Sequence, residues 1–584
     1  MIGVMWRGGR ALARVPALAL ALALALALAL PRPVHAQSGD LEPSFRFLVS
    51  ARDPDRGVLE PRGSGPLAGL SLPLSYLDTP DYWAHYVCAA SQATCTVLDV
   101  YDPHHYTFTP QPGAAGDLQI ERVSTHNGTN IYDAATWQIA VMLGSIVNHF
   151  PTSPWPDAHA LVNNETRQLT SSKPGLAYRM SASQWLVQDP LVNSAQASWL
   201  RASGLPIPRG PYSAGKITWM DWRTVTGENA WAWLIGPLQA AYLHFVTGEH
   251  RPQVPFGDSA VQNAMASLPA FLARQSSIGA VYYEPSLVNP HRVSVENNLS
   301  LYAGLRILEQ TLRAERATEA GLSAAAQARI AAALQSIGAL INGGRTERAS
   351  SRGLLSFFRA QAWQNGEFVQ GGVADDPLTH SAWQASSVAR AVDTNTWGIA
   401  ALGTELIDRW FGFGAAFGNW QRVKSWGAYG VGQELWGVGY SDLDGNGQEP
   451  DGRYRQGILS AEWTGGAITM VRNMIHYYEH LSAADPNRGC AVAFLKSLRV
   501  DEQALYRGMR ALRVDRYLGG SFPGMPPDRE YLRLFNGGAY LYASKRYWIP
   551  FGWYANPLPS TCATAWAIMV ADRFDPLGFG GAPN

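Results

Sequence analysis

The chain has 584 residues, of which 47% are hydrophobic and only 16% charged, with 46 cationic and 46 acidic side chains. That composition supplies a large core and excludes intrinsic disorder. The even charge balance argues against a nucleic-acid binder, which needs clustered cations to meet phosphates.

Residues 1–36 read as an export signal. Arg7, Arg10 and Arg14 form a positive n-region, residues 17–30 are an unbroken Ala-Leu run, and Val34 and Ala36 occupy the −3 and −1 positions of a cleavage site. The run is 14 residues long, against roughly 20 needed to span a bilayer. Cleavage would remove four arginines (the fourth is Arg32) and no acid, leaving the mature chain at −4. No later stretch reads as a membrane span, so a soluble periplasmic or secreted protein is expected.

Residues 37–125 show no helical period and are rich in Pro and Gly, which predicts a strand-and-loop segment packed on the rest. From residue 126 to 584 one local pattern recurs six times. A small polar residue is followed by acids, Asn or Trp and then by an apolar helix. The starts are Asn130 with Asp133, Thr226 with Glu228 and Asn229, Ser294 with Glu296 and Asn297, Asp393 with Asn395, Ser460 with Glu462, and Ser560 with Thr564. Ser, Thr, Asn and Asp are good caps because a side-chain oxygen can accept from the free N–H groups of the first turn.

The helix after each start is apolar on most sides, as in residues 231–246 and 299–312, and a helix apolar all round must be buried all round. Between these lie amphipathic helices at residues 259–275, 323–341 and 500–512, which face water on one side. Buried and half-exposed helices alternating six times predict an all-α protein, an (α/α)6 toroid with an inner and an outer ring. The six markers Asp133, Asn229, Asn297, Asn395, Thr464 and Thr564 are spaced by 96, 68, 98, 69 and 100 residues. The long gaps hold aromatic loops around Trp219 and Trp222, over residues 357–383, and over residues 540–554. The last reads as a β-hairpin turning at Ser544-Lys545-Arg546.

In such a toroid the inner-helix N-termini line a funnel. Glu228, Glu296, Asp393 and Glu462 would meet there, with Asp133 a turn into the first helix. Cleaving a glycosidic bond needs one protonated carboxyl for the leaving oxygen and a second carboxylate to activate water or attack the sugar. Acids also sit at helix N-termini simply because the helix dipole favours them, but four on one rim point to chemistry. Glu462, between Ser460 and Trp463, is the candidate general acid; Glu228, Glu296 and Asp393 are candidates for base or nucleophile. Loop aromatics Trp222, Trp363, Trp383, Trp436, Trp548 and Trp553 are candidate sugar platforms, with Asp133, Asn229 and Asn297 as polar contacts.

Four cysteines in an oxidising compartment predict two disulfides, Cys88 with Cys95 across a six-residue loop and Cys490 with Cys562 between the last outer and last inner helices. Asp442, Asp444 and Asn446 have the D-x-D-x-N-G spacing of a Ca²⁺ loop, although Arg453 stands where an EF-hand places its closing Glu. A structural calcium is therefore the one metal considered, and no cofactor is required by the expected chemistry.

On these helix starts and carboxylates, residues 130–575 resemble the (α/α)6-toroid carbohydrate-active superfamily, the six-hairpin glycosidases. The resemblance implies a funnel-shaped site at the inner-helix N-terminal rim and an inverting glycoside hydrolase acting on a poly- or oligosaccharide. Two other readings stand beside it. A polysaccharide lyase on the same scaffold would use His126, Asn127, Arg292 and Tyr302, against which the rim is acidic where a uronate would need cations. A non-catalytic polysaccharide-binding or export protein would use the aromatic loops alone.

Overall fold

Four of the six long apolar inner helices begin where a short extended segment meets a capping side chain; the second and fourth start after Val225 and Ala391 without one, so Thr226 and Asp393 lie inside their helices rather than capping them. Asn130 accepts from Tyr132 N at 2.9 Å, Ser294 Oγ from Asn297 N at 3.3 Å, Ser460 Oγ from Trp463 N at 3.2 Å and Ser560 Oγ from Ala563 N at 3.3 Å. These bonds satisfy first-turn donors that the helix itself leaves open. The structure, a computed structural model, describes residues 38–51, 57–61, 71–79, 82–83, 125, 128–152, 154–159, 185–187, 212–214, 217–219, 225–283, 291–318, 321–345, 350–386, 388–523, 530–551 and 553–584. The expected export signal, Cys88, Cys95, His126, Asn127 and Trp222 lie outside the described residues.

Six inner helices close into a ring. They are Ile131–Val147, residues 226–248, Val295–Thr318, Val392–Leu402, Ala461–Glu479 and Thr561–Ala571. Each packs on the next, and the sixth packs on the first. The second runs through two π-helical stretches, Trp231–Ile235 and Tyr242–Gly248. Around this ring lie outer helices Ser38–Val49, Ser259–Leu272, Ala324–Asn342, Ala415–Gly427 and Arg488–Ala511. The architecture is an (α/α)6 toroid carrying a few small antiparallel strand pairs.

A second recurrent device fixes the rim. In all but the first helix, where Ala134 stands there, the residue four after the helix start (Val225, Ser294, Ala391, Ser460 or Ser560) stitches the incoming chain to the helix. Asn298 accepts from Val281 N at 2.7 Å and donates to Ser294 O and Val281 O. Asn395 accepts from Phe368 N at 2.8 Å and donates to Ala391 O. Thr464 Oγ1 accepts from Val438 N at 3.1 Å, and Thr564 Oγ1 accepts from Tyr540 N at 3.0 Å while donating to Ser560 O. Asn229 donates to Val225 O at 2.8 Å. These bonds satisfy strand backbone groups that would otherwise be buried without partners. The equivalent residue of the third helix is thus Asn298, one later than the Asn297 marker.

Below the rim the lumen is filled. Trp231, Trp397 and Trp566 each stand six residues after the start of the second, fourth and sixth helices, with ring centroids 5.7 and 6.0 Å apart in succession. The matching positions of the first, third and fifth helices are small: Thr136, Ser300 and Gly466. A Cβ on Gly466 would overlap the Trp397 indole at Nε1, so glycine there is a packing requirement. Trp231 Nε1 donates to Ser300 Oγ at 3.1 Å. The outer ring has its own polar tie, Lys424 Nζ to Asp501 Oδ2 at 2.8 Å, with both side chains nearly inaccessible.

Several expectations need correction. Residues 38–49 are an outer helix rather than strand and loop; Leu41, Phe45 and Leu48 make a buried stripe at helical spacing, which Pro43 disguises. Trp137 Nε1 donates to Leu48 O at 2.8 Å and binds this helix to the ring. The hairpin before the last inner helix exists, but Tyr547–Ile549 pairs with Trp553–Ala555, while Tyr540–Leu541 pairs with Pro559–Ser560. The turn therefore falls at Pro550 and Phe551, since Pro favours a turn, and Ser544-Lys545-Arg546 is a bend. Ala324–Asn342 is long and apolar enough by length and composition to cross a membrane; its apolar face, Ile330, Ala333, Ile337 and Leu340, packs on the ring.

Candidate active site at the inner-helix rim

The helix starts bring four of the five sequence-predicted acids into mutual electrostatic reach. Glu296, Asp393 and Glu462 stand two residues after Ser294, Ala391 and Ser460, where their helices start, and Asp133 three residues after Asn130. Burial pushes Glu462 up to about 8, with Asp133 and Glu296 adding like charge and hydrogen bonds from Tyr542 and Cys562 opposing. Burial also pushes Asp133 up to about 7, against hydrogen bonds from Ser75 and Cys562. Glu296 rises to about 7 for the same reason, opposed by Ser300, Asn297 and Tyr132. Asp393 is raised well above the usual carboxylate range by burial and then by the charge of Glu296. The largest influences on every member are burial, fellow carboxyls and neutral donors.

The donors differ in a way that matters. Glu296 Oε1 accepts from Ser300 Oγ at 2.8 Å and Oε2 from Asn297 Nδ2 at 2.6 Å, with Tyr132 as a further partner. Three donors favour its charged form. Asp393 accepts from Thr394 N at 2.6 Å, within its own first turn. Like charges so placed oppose one another's ionisation, so both carboxyls hold their protons above the ordinary carboxylate range. Glu228 also lies at this rim, fully buried in the first turn of the second helix and acting on the Tyr132 phenol.

Sequence reading missed the tyrosines. Tyr76, Tyr132, Tyr440 and Tyr542 are all raised well above the normal phenol range by burial, and each is acted on by one or more of these carboxyls. Tyr76, Tyr440 and Tyr542 come from loops distant in sequence, so no local spacing announces them. Asn297 bridges two helices, accepting from Gly227 N at 2.6 Å while donating to Glu296. Asn229 is fully buried, its amide donating to Val225 O and accepting from Trp233 Nε1; it shapes the helix start rather than offering a sugar contact.

The candidate platforms separate. Trp553 Nε1 donates to Tyr542 Oη at 3.3 Å, which joins it to the acids, and Trp548 on the same hairpin is 47% exposed, edge-on to Tyr554. Trp383 packs over Gly372 and edge-on to Phe357, on the far edge of the three-stranded sheet whose opposite edge, Arg292–Ser294, leads into the third inner helix. Trp436 instead lies against Phe522 and the Arg507 guanidinium of an outer helix. Trp363 stacks on Phe411 at 4.6 Å, also toward the outer ring.

The expected Cys490–Cys562 disulfide fails on geometry. Cys490 and Cys562 are both free. Cys490 opens the outer helix Arg488–Ala511 while Cys562 opens an inner one, and these helices start at opposite ends of the toroid. A helix of that length spans roughly 30 Å at 1.5 Å per residue, far beyond the ~7 Å limit on a disulfide's Cα separation. Cys562 instead hydrogen-bonds Asp133 and Thr136.

The proposed calcium ligands are each committed elsewhere. Asp444 accepts from Tyr440 N, from Ser441 N at 2.8 Å and from Ser441 Oγ at 2.6 Å; Asp442 pairs with Arg390; Asn446 bridges Ile458 N and O. In this structure these side chains close a turn. Among the described residues no group of three His, Cys, Asp or Glu is arranged to hold a metal. Of the residues a lyase would use, Arg292 stacks over Tyr283 and Tyr302 packs on Phe358 farther down the third inner helix, away from the acids.

No protein-family model matches the sequence, and a comparison with curated proteins finds no match. Among solved structures, the unsaturated glucuronyl hydrolase of Bacillus sp. GL1 is 12% identical with a TM-score of 0.37, over 76% of this chain and 85% of that one. A D-mannose isomerase is 10% identical, TM-score 0.34, over 76% and 87%, and the glucoamylase of Saccharomycopsis fibuligera is 10% identical, TM-score 0.34, over 78% and 87%. Likeness this distant leaves activity to be argued from the chain's own residues.

Proposed function

We propose that this chain is an exported glycoside hydrolase that cleaves a poly- or oligosaccharide at the inner-helix rim. The observation that carries the reading is the set of four carboxyls, Asp133, Glu296, Asp393 and Glu462, on one rim above an aromatic floor, held by neutral donors that sort their protonation states. Glu462, raised to about 8, keeps its proton at neutral pH and is the general acid for the leaving oxygen. Glu296, held by three donors, is the carboxylate that activates water, and the neighbouring Asp393 tunes it through its charge. Trp548, Trp553 and Trp383 offer flat apolar faces to pyranose rings.

Hydrolysis by water activated on the opposite face inverts the anomeric centre, and proton NMR of fresh product reads this directly. The deciding experiment is incubation of the mature protein with a panel of neutral and charged polysaccharides, alongside Glu462→Gln and Glu296→Gln. Each variant should lose roughly 10²–10⁴-fold in kcat with its fold intact. Wild-type turnover in both variants would remove the site assignment, and unsaturated products absorbing in the ultraviolet would replace hydrolysis with elimination. Export is tested separately, by whether the protein recovered outside the cytoplasm begins after Ala36.

A further inference from the structure

Glu462 meets a phenol whose own orientation is dictated from farther out on the rim. Tyr542 is pinned on both sides of its backbone: its carbonyl accepts from Ala461 N at 3.1 Å and its N–H donates to Leu558 O at 3.0 Å. Its ring is wedged edge-on to Tyr76 at 5.5 Å and beside Tyr440 at 6.0 Å, and the residue is buried. Trp553 Nε1, which can only donate, reaches Tyr542 Oη at 3.3 Å. The phenol accepts there and keeps one proton to give, and both the Glu462 carboxyl, next to the Ala461 that its backbone holds, and the Tyr440 phenol lie within its electrostatic reach.

We propose that Tyr542 is a positioning residue for Glu462. It donates to the Glu462 carboxyl, on which the Cys562 thiol also acts, with Trp553 fixing the direction of the phenol. This rests on the reading of Glu462 as general acid. The other groups facing Glu462 are Asp133 and Cys562 from the first and sixth helices, Glu296 and Asp393 from the third and fourth, and Tyr76 and Tyr440. Asp133 and Glu296 push its proton affinity up, so a donor is the counterweight that keeps the acid able to release its proton.

Tyr542→Phe keeps the ring and removes only the donor. We expect kcat to fall by roughly 10- to 100-fold with little change in KM. The alkaline limb of the kcat–pH profile should move up by about one pH unit, because the carboxylate has lost a stabilising bond. Trp553→Phe should move the limb in the same direction by less. A Tyr542→Phe enzyme with the wild-type profile overturns the proposal even if its rate drops, since a merely structural residue would lower the rate without moving the limb. An infrared titration of the Glu462 carboxyl, identified by its disappearance in Glu462→Gln, reads the same bond without turnover. An upward move in Tyr542→Phe supports the hydrogen bond, and no move overturns it. An infrared shift in a protein that turns over no glycan overturns the hydrolase reading, and with it the catalytic half of this proposal.

Discussion

Glu462 and Cys562 stand at the same step of neighbouring inner helices, each two residues after a capping serine, and the Glu462 charge acts on the Cys562 thiol. The sixth helix therefore presents a thiol where the third, fourth and fifth present carboxyls. Burial and the charges of Glu462 and Asp133 hold that thiol protonated, well above its usual range. Cys490, by contrast, is exposed. Iodoacetamide applied to the native protein should label Cys490 and spare Cys562, and unfolding should release the second. Mass spectrometry that finds a Cys490–Cys562 cross-link would contradict the helix arrangement.

Stability should fall as pH rises. Asp133, Glu296 and Glu462 are raised in the folded chain to about 7, 7 and 8. The folded state thus binds more protons than the unfolded state above the ordinary carboxylate range. Their contribution is fully present below about pH 4 and is lost as pH climbs through the raised values. Glu462→Gln should raise the unfolding midpoint at pH 9 and change it little at pH 5. Thermal scans of the two proteins at both pH values check this, and an equal gain at both would show that ionisation is not the cause.

Gly466→Ala should destabilise the toroid without touching a catalytic group. The added methyl would collide with Trp397 Nε1 in a filled lumen, and overpacking of this kind costs about 1–3 kcal/mol. A denaturant midpoint unchanged from wild type would mean that the tryptophan floor is looser than described.

Lys424→Met should cost about 3–5 kcal/mol, because it leaves the buried Asp501 carboxylate with the Trp420 indole donor and no counter-charge. Chemical denaturation measures the loss, and the double variant Lys424→Met/Asp501→Leu should recover much of it.

Trp548→Ala should raise KM on long substrates severalfold and leave kcat little changed, since the ring is exposed on the rim hairpin. Trp436→Ala, packed toward an outer helix, should instead lower stability. A reversal of those two effects would move the glycan path off this hairpin.

Much of the toroid was legible because its signals are local. Caps such as Ser460 and Ser560 precede apolar runs, and acids two residues later mark the rim. The helix 38–49 was hidden by Pro43, which speaks against a helix louder than Leu41, Phe45 and Leu48 speak for one. The tyrosines were illegible for another reason. Tyr76 and Tyr542 reach Glu462 only because the ring closes, and no spacing in the sequence encodes a meeting between loops so far apart. The pairing of Cys490 with Cys562 failed because an even count says nothing about which end of a helix each thiol occupies.

The contact between the sixth inner helix and the first also governs how this molecule can come into being. Asp133 meets Cys562 only when the last helix docks on the first, so a nascent polypeptide lacking that helix leaves the ring open on the Asp133 side. Such long-range closure makes for slow maturation, and a fragment cut anywhere within the circle should be inert rather than partly competent.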